Sequence, residues 1–77
     1  MSQSVILYTQ SDCPPCDWTK AYLKSRRIRF VERDVSADAD AQAELEALGV
    51  RSTPVTVIGE TIIIGYKPDE MEKHLNV

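Results

Sequence analysis

The distribution of apolar and polar residues along the chain predicts seven short elements. Runs rich in β-branched residues predict four strands, over residues 4–8, 28–33, 55–58 and 61–64. Apolar residues at helical spacing predict three helices, from about Pro15 to Arg26, around Ala41, Leu45 and Leu48, and from Pro68 towards Leu75. The predicted order is therefore β-α-β-α-β-β-α, and no repeat or linker divides the chain.

Local signals refine the predicted helices. The first helix is marked by residues that recur at helical spacing: Trp18, Ala21, Tyr22 and Ser25. We expect Ser36 or Asp38 to cap the second helix, and Gly49 stands where a left-handed residue often ends a helix. In the third helix we expect Met71 and Leu75, four residues apart, to face inward.

The connections between the strands predict how the sheet is built. A helix between two strands favours parallel neighbours at the start of the sheet. Gly59 and Glu60 separate the last two runs, and a two-residue connection of this kind predicts an antiparallel hairpin. We therefore expect one α/β domain over residues 1–77, in which helices pack on both faces of a four-stranded mixed sheet.

Composition and charge exclude several classes of protein. The chain has 77 residues, of which 43% are hydrophobic and 27% are charged, as in a folded globular domain. Its longest apolar runs, such as Ile62–Ile64, are far shorter than the ~20 residues of a membrane-spanning helix. The first residues show no basic, apolar leader, so we expect a cytoplasmic protein. A formal net charge of −3 argues against a nucleic-acid binder.

The charges are nevertheless unevenly distributed. Six basic residues and one acid lie between Lys20 and Arg33, whereas five acids and no base lie between Asp34 and Glu46. The basic stretch is either a docking patch for an acidic partner or the solvated end of the first helix, where cations suit the negative end of the helix dipole. The sequence leaves both interpretations open.

The two cysteines, Cys13 and Cys16, lie between the first strand and the first helix. Cys13 is expected at the helix N-terminus, where the helix dipole and free N–H groups favour a thiolate. Cys16 lies one turn into the helix, shielded and placed to attack a mixed disulfide on Cys13. A C-x-x-C pair in a βαβ pattern indicates thiol–disulfide exchange, with Cys13 as the nucleophile and Cys16 as the resolving thiol.

Other uses of this pair remain open from the residues alone. A soft-metal carrier needs only two thiolates, whereas a structural zinc site needs four ligands, and the single histidine is the distant His74. A cysteine hydrolase that paired Cys13 with His74 would leave Cys16 without a role. An iron–sulfur module would use Cys13 to hold a cluster across a dimer. We expect dithiol chemistry without a resident metal or cofactor.

Three segments occur together in this chain: Tyr8-Thr9-x-x-x-Cys13-Pro14-x-Cys16, Thr53-Pro54-Val55 and Gly65-Tyr66-x-x-Asp69. In combination they resemble the glutaredoxin family of the thioredoxin fold, over about residues 5–75. Taken alone, Pro54 indicates only a proline that begins a strand. The resemblance implies that the Thr53–Pro54 peptide bond is cis, that Pro54 faces the dithiol, and that Thr53 offers backbone hydrogen bonds to an extended substrate.

Two segments depart from the glutaredoxins that use glutathione. Those proteins carry a lysine where this chain has Gln10, and a Gly-Gly-x-Asp-Asp-like segment where it has residues 65–69. Gly65-Tyr66-Lys67-Pro68-Asp69 resembles instead the Gly-Phe-Arg-Pro-Asp segment of NrdH-type redoxins and related short bacterial glutaredoxin-like proteins, and Thr19-Lys20 matches that branch too. The resemblance implies substrate-binding roles for Thr53, Pro54, Gly65, Tyr66 and Asp69.

These features together predict a dithiol oxidoreductase that reduces protein disulfides. The resemblance implies electron donation to enzymes such as ribonucleotide reductase. It also implies reduction by thioredoxin reductase rather than by glutathione, with weak glutathione binding at most. We expect a monomer that acts on disulfide-containing proteins and binds neither nucleic acid nor membranes.

Overall fold

Strand β1 (Val5–Thr9) lies inside the sheet of the computed structural model, which describes residues 4–75. It pairs in parallel with β2 (Val31–Asp34) and antiparallel with β3 (Val55–Ile58). Strand β4 (Thr61–Ile64) pairs antiparallel with β3, so the strand order is β2-β1-β3-β4. The hairpin predicted at Gly59 and Glu60 is confirmed.

Three helices cover the two faces of this sheet: α1 (Pro14–Ser25), α2 (Ala39–Ala47) and α3 (Pro68–His74). On one face, Leu7 belongs to an apolar cluster with Leu23 of α1 and Met71 of α3. On the other face, Tyr8 belongs to a second cluster with Leu45 of α2. Adjacent strand residues serve both clusters because side chains alternate across a strand. The α/β class and the predicted order of elements are confirmed.

Strand β2 begins later than the predicted run over residues 28–33. Its pairing with β1 begins at Ile6 and Val31 and ends at Thr9 and Asp34. The preceding residues return the chain from α1 instead, and the Ile28 N–H donates to the carbonyl of Leu23 at 2.9 Å. Ile28 still packs against the core from this loop, which explains why the segment has an apolar pattern.

Helix α1 buries residues other than those whose spacing marked it. Trp18 is 55% exposed, whereas Cys16, Thr19 and Leu23 are buried. Thr19 tolerates full burial because its hydroxyl donates to the carbonyl of Pro15 at 2.8 Å. The face towards the sheet therefore combines small, polar and apolar residues, which a hydrophobic pattern does not reveal.

Strand β3 runs antiparallel to β1, although a helix connects it to β2. The nine residues of α2 and the segment after them return the chain to the end of the sheet where β2 stops. Thr9 pairs with Asp34 there, and Tyr8 pairs with Val55, the first residue of β3. The prediction of parallel neighbours thus holds for β1 and β2 but is wrong for β3. This reversal brings Pro54 to the end of the sheet from which α1 starts.

Helix α2 is fixed by its cap and by a carboxylate network. The side chain of Asp38 accepts the N–H of Asp40 at 2.9 Å, so Asp38, not Ser36, is the N-cap. The carboxylate of Glu44 accepts two hydrogen bonds from Arg33, at 3.1 and 2.6 Å, and one from the Tyr8 hydroxyl at 3.2 Å. These bonds, those of Arg33 first, lower the pKa of Glu44.

Other predictions concern the ends of the helices. Gly49 has a φ of +80° after α2, as predicted for a left-handed residue at that position. Met71 and Leu75 are both buried, which confirms the inward face of α3. None of the helices within residues 4–75 combines the length and the apolar character needed to cross a membrane.

Candidate active site

Cys13 is the N-cap of α1 and follows a loop in which Asp12 adopts a φ of +55°. Its sulfur accepts the N–H of Cys16 at 3.2 Å, and its carbonyl accepts the N–H of Asp17 at 3.2 Å. The helix dipole and the Cys16 N–H stabilise negative charge at this position, since the two prolines that follow Cys13 have no N–H to offer. The placement of Cys13 at the helix N-terminus is confirmed, with the helix beginning one residue earlier than predicted.

Cys13 and Cys16 form a disulfide whose Cα atoms are 5.2 Å apart. The two sulfur-bearing residues differ in their surroundings, since Cys16 is 1% exposed and Cys13 is 8% exposed at the helix end. A molecule that approaches from outside therefore meets Cys13 first. Cys16 is the more deeply buried of the two.

The Thr53–Pro54 peptide bond is cis, as the resemblance implied. The hydroxyl of Thr53 donates to the sulfur of Cys13 at 3.6 Å. The carbonyl of Pro54 accepts the N–H of Gly65 at 2.8 Å, which ties the segment after β4 to the same place. The structure therefore brings five of the predicted site residues, Cys13, Cys16, Thr53, Pro54 and Gly65, into one connected group.

Tyr66 and Asp69, the other two residues predicted outside the dithiol, lie farther along this segment. Tyr66 is 38% exposed, and its ring packs edge to face against Trp18 with centroids 5.8 Å apart. Trp18 was not predicted as a site residue, because its spacing indicated only a helix. Asp69 is exposed in the first turn of α3, and among the described residues no hydrogen bond or ion pair joins it to the dithiol.

An open groove of about 520 Å³ lies beside the loop that leads to Cys13. Its polar lining consists of Gln10, Ser36, Gln42, Glu46 and Arg51. One acid and one base balance each other there, so the groove presents no net positive charge to a carboxylate.

Ion pairs neutralise part of the basic stretch that follows the dithiol. The ammonium of Lys20 lies 3.1 Å from the carboxylate of Glu32, and Arg26 lies 3.2 Å from Glu72. Lys24 occupies the last turn of α1, where a cation suits the helix dipole. These contacts favour the solvated helix end over a docking patch.

A helix-capping dithiol beside a cis-proline can exchange disulfides with another molecule, because one cysteine lies at the helix end and the second can displace what the first has captured. Within residues 4–75, no three His, Cys, Asp or Glu side chains come together as a metal-binding group. The sheet order, the helix positions and this site together define a thiol–disulfide oxidoreductase of the thioredoxin fold.

Comparison with known proteins identifies the family. The sequence profile of the glutaredoxins matches residues 5–63, and the chain belongs to the glutaredoxin family. It is 38% identical over 68 residues to an uncharacterized glutaredoxin-like 8.6 kDa protein in the rubredoxin operon of Clostridium pasteurianum, covering 87% of this chain and 91% of that one. It is 33% identical to the glutaredoxin-like protein NrdH of Salmonella typhimurium, over 91% of this chain and 86% of the relative.

A solved structure agrees with these relatives. The NrdH-redoxin of Escherichia coli superposes with a TM-score of 0.85 at 28% identity, covering 96% of this chain and 97% of the other. The resemblance to NrdH-type redoxins is thereby confirmed, as is the thioredoxin-like fold.

Proposed function

We propose that Cys13 opens the disulfide of a protein substrate and that Cys16 resolves the resulting mixed disulfide. The observation that carries this assignment is the asymmetry of the pair. The sulfur of Cys13 accepts hydrogen bonds from the Cys16 N–H and the Thr53 hydroxyl, which support a thiolate. Cys16 is almost fully buried and is reached only after a substrate has bonded to Cys13.

The exchange proceeds in two steps. The Cys13 thiolate of the reduced protein attacks one substrate sulfur, a bond to Cys13 forms as the substrate disulfide breaks, and the first substrate thiolate leaves and takes up a proton. Cys16 then loses its proton and attacks the Cys13 sulfur, which releases the second substrate thiolate. Two electrons have passed to the substrate, and the protein now holds the Cys13–Cys16 disulfide of this structure.

We propose that the substrate lies as an extended segment along Thr53 and Pro54. Among residues 4–75, no backbone hydrogen bond outside the regular elements uses the N–H or the carbonyl of Thr53. These groups are available to pair with a substrate backbone, in the manner of an added strand. Gly65 and Tyr66 lie next along the proposed substrate site, and Asp69 would contact only a longer substrate segment.

We propose that thioredoxin reductase, rather than glutathione, returns electrons to the dithiol. The Escherichia coli NrdH-redoxin is described as having a thioredoxin-like activity profile, which supports this choice by similarity. In this chain, Gln10 and the balanced charges of Glu46 and Arg51 provide no net attraction for the carboxylates of glutathione. We propose a disulfide in an enzyme such as ribonucleotide reductase as the substrate, as the sequence resemblance to NrdH-type redoxins implies.

We propose that the protein acts in the cytoplasm. A dithiol that donates electrons must be kept reduced, which the cytoplasm provides. We also propose a monomer as the active species, because the dithiol, Thr53 and Pro54 come together within a single fold.

The experiment that tests this function is a reduction assay with insulin as the disulfide substrate. One arm supplies NADPH and thioredoxin reductase, and the other supplies NADPH, glutathione and glutathione reductase. We expect faster reduction in the first arm, loss of both activities in Cys13→Ser, and a raised glutathione rate in Gln10→Lys. Turnover in the glutathione arm with none in the thioredoxin reductase arm would overturn the choice of reductant. An active Cys13→Ser protein would overturn the role of Cys13.

A further inference from the structure

The loop that leads to Cys13 is held by the segment that follows β2. The backbone N–H of Ser11 donates to the hydroxyl oxygen of Ser36 at 3.1 Å. The two hydroxyl oxygens of Ser11 and Ser36 lie 2.9 Å apart. These contacts join positions 25 residues apart, and they are made two residues before the sulfur that begins the reaction.

Ser36 is itself held in place by Asp34, the last residue of β2. One carboxylate oxygen of Asp34 accepts the Ser36 hydroxyl at 2.5 Å and the Ser36 N–H at 2.9 Å. These bonds lower the pKa of Asp34, the hydroxyl having the largest effect, so the carboxylate is charged at neutral pH. Asp34 is fixed in turn by its pairing with Thr9 of β1.

The direction of the hydrogen bonds follows from the number of hydrogen atoms. A serine hydroxyl has one hydrogen, and that of Ser36 is donated to Asp34. The Ser11 hydroxyl is therefore the donor in its contact with Ser36. The Ser36 hydroxyl accepts twice from Ser11 and donates once to Asp34. The chain Asp34–Ser36–Ser11 thus runs from a rigid strand to the loop before the dithiol.

The hydrogen-bonded series Asp34–Ser36–Ser11 ends at the loop that precedes Cys13. Asp12, the next residue, has a φ of +55°, a conformation that is uncommon for residues other than glycine. Cys13 follows directly, and its sulfur must point at the Cys16 N–H, 3.2 Å away, for that group to stabilise a thiolate. A loop free to relax at Ser11 would change the direction from which the chain enters α1.

We propose that Ser36, held by Asp34, is a positioning residue that orients Cys13 and so stabilises its thiolate. This inference rests on the proposed role of Cys13 as the nucleophile. Ser36 touches neither the sulfur nor a substrate in this account, and its effect passes through Ser11. Removing its hydroxyl should raise the pKa of Cys13.

The test measures the thiolate directly in a background with one cysteine. In Cys16→Ser, the ultraviolet absorbance of the thiolate reports Cys13 alone, because the chain has two cysteines. Adding Ser36→Ala should move the titration to higher pH, and Ser36→Thr, which keeps a hydroxyl, should restore it. Ser25→Ala is the matched control, since that hydroxyl donates to the carbonyl of Tyr22 at the other end of α1.

The rate of substrate reduction provides a second readout. In the protein with both cysteines, Ser36→Ala should slow insulin reduction at about pH 6. This deficit should disappear at alkaline pH, where both proteins are fully ionised and the more basic thiolate is the stronger nucleophile. Where the thiolate fraction falls tenfold, the greater nucleophilicity of a more basic thiolate recovers about a factor of three, so the net loss is about threefold. Ser11→Ala keeps the backbone N–H bond to Ser36 and should show a smaller change, which keeps the test decisive if Ser36→Ala fails to fold.

Two results would overturn the proposal. One is a Ser36→Ala protein with a lowered melting temperature but an unchanged Cys13 titration, which would make Ser36 merely structural. The other is a shift that Ser36→Thr does not reverse. Failure of the proposed function is separable, since a Cys16→Ser parent that captures no substrate on Cys13 would remove the nucleophile without reference to Ser36.

Discussion

The hydroxyl of Thr53 donates to the sulfur of Cys13 across 3.6 Å, although 40 positions separate the two residues in sequence. Thr53 also begins the cis peptide bond to Pro54. One residue therefore combines a donor to the reactive sulfur with the backbone groups proposed to hold the substrate. The two roles are separable, because only the first needs the side chain.

Replacing Thr53 with valine should raise the pKa of Cys13 and slow substrate reduction near neutral pH. A hydrogen bond of about 0.5–1.5 kcal/mol corresponds to a thiolate fraction that is about twofold to tenfold smaller below the pKa, and a sulfur acceptor places the effect at the low end. Because the more basic thiolate is more nucleophilic, the rate should fall by about threefold at most. Thr53→Ser keeps the hydroxyl and serves as the control. Steady-state rates across pH 5–9 measure the difference, and a Thr53→Val profile that matches the unsubstituted protein would refute it.

The position of Cys13 could be predicted because its signals are local. A strand, two cysteines and a proline-containing first helical turn follow one another within twelve residues, from Val5 to Cys16, and together they define a helix N-terminus. The cis bond at Pro54 could not be predicted in this way, since a strand-initial proline has the same local pattern. The cis bond was implied instead by the resemblance to the glutaredoxin family.

The contact between Thr53 and Cys13 depends on tertiary structure. It exists because α2 and the following segment return the chain to the end of the sheet where β2 stops, and a helix after a strand predicted the opposite direction for β3. For a related reason, the hydrophobic pattern did not show which side of α1 is buried. Thr19 is buried with its hydroxyl satisfied inside the helix, whereas the large aromatic Trp18 finds its partner in Tyr66 at the surface.

Thr56 should be replaceable by valine with a gain in stability. It is fully buried in β3 between Leu7 and Ile63, and its hydroxyl has no hydrogen-bond partner among the described residues. A buried polar group without a partner costs about 1–3 kcal/mol, so Thr56→Val should raise the free energy of unfolding by about 1–2 kcal/mol. Urea denaturation of the oxidised protein measures this change.

The matched control for this prediction is Thr19→Val. Its hydroxyl is equally buried but donates to the carbonyl of Pro15 at 2.8 Å, so its loss should not stabilise the protein. A Thr56→Val protein that unfolds at lower urea would show that the hydroxyl is satisfied in solution.

Stability at acid pH should depend on Glu44. Its pKa is lowered in the folded state, with the bonds from Arg33 as the largest cause, so its contribution is present above the ordinary glutamate pKa of about 4.3 and is lost as the pH falls through the lowered value. Glu44→Gln should therefore destabilise the protein at pH 7 and flatten the acid part of the stability curve. Glu46→Gln, on the same helix and outside this network, is the control, and equal curves for the two variants would contradict the prediction.

The pKa of the Tyr8 hydroxyl is raised, whereas that of Glu44 is lowered. Burial is the largest cause of the raised pKa, and the hydrogen bond to Glu44 is the next. A raised pKa gives a contribution that is present below the unfolded tyrosine pKa of about 10 and is lost as the pH rises through the folded value. Tyr8→Phe should therefore flatten the alkaline part of the same curve. Unfolding free energies measured in steps from pH 3 to 11 test both sides, and an unchanged alkaline part in Tyr8→Phe would contradict the assignment.

The central claim is that Cys13 attacks first and Cys16 resolves, and capture of a substrate tests it most directly. Reduced Cys16→Ser and Cys13→Ser proteins are each mixed with an activated disulfide of a peptide, and the covalent products are identified by mass spectrometry. The account predicts a stable mixed disulfide on Cys13 in Cys16→Ser, formed rapidly, and little or none on the buried Cys16 in Cys13→Ser. Faster capture by Cys16 in Cys13→Ser would contradict it, because the roles of the two sulfurs would then be reversed.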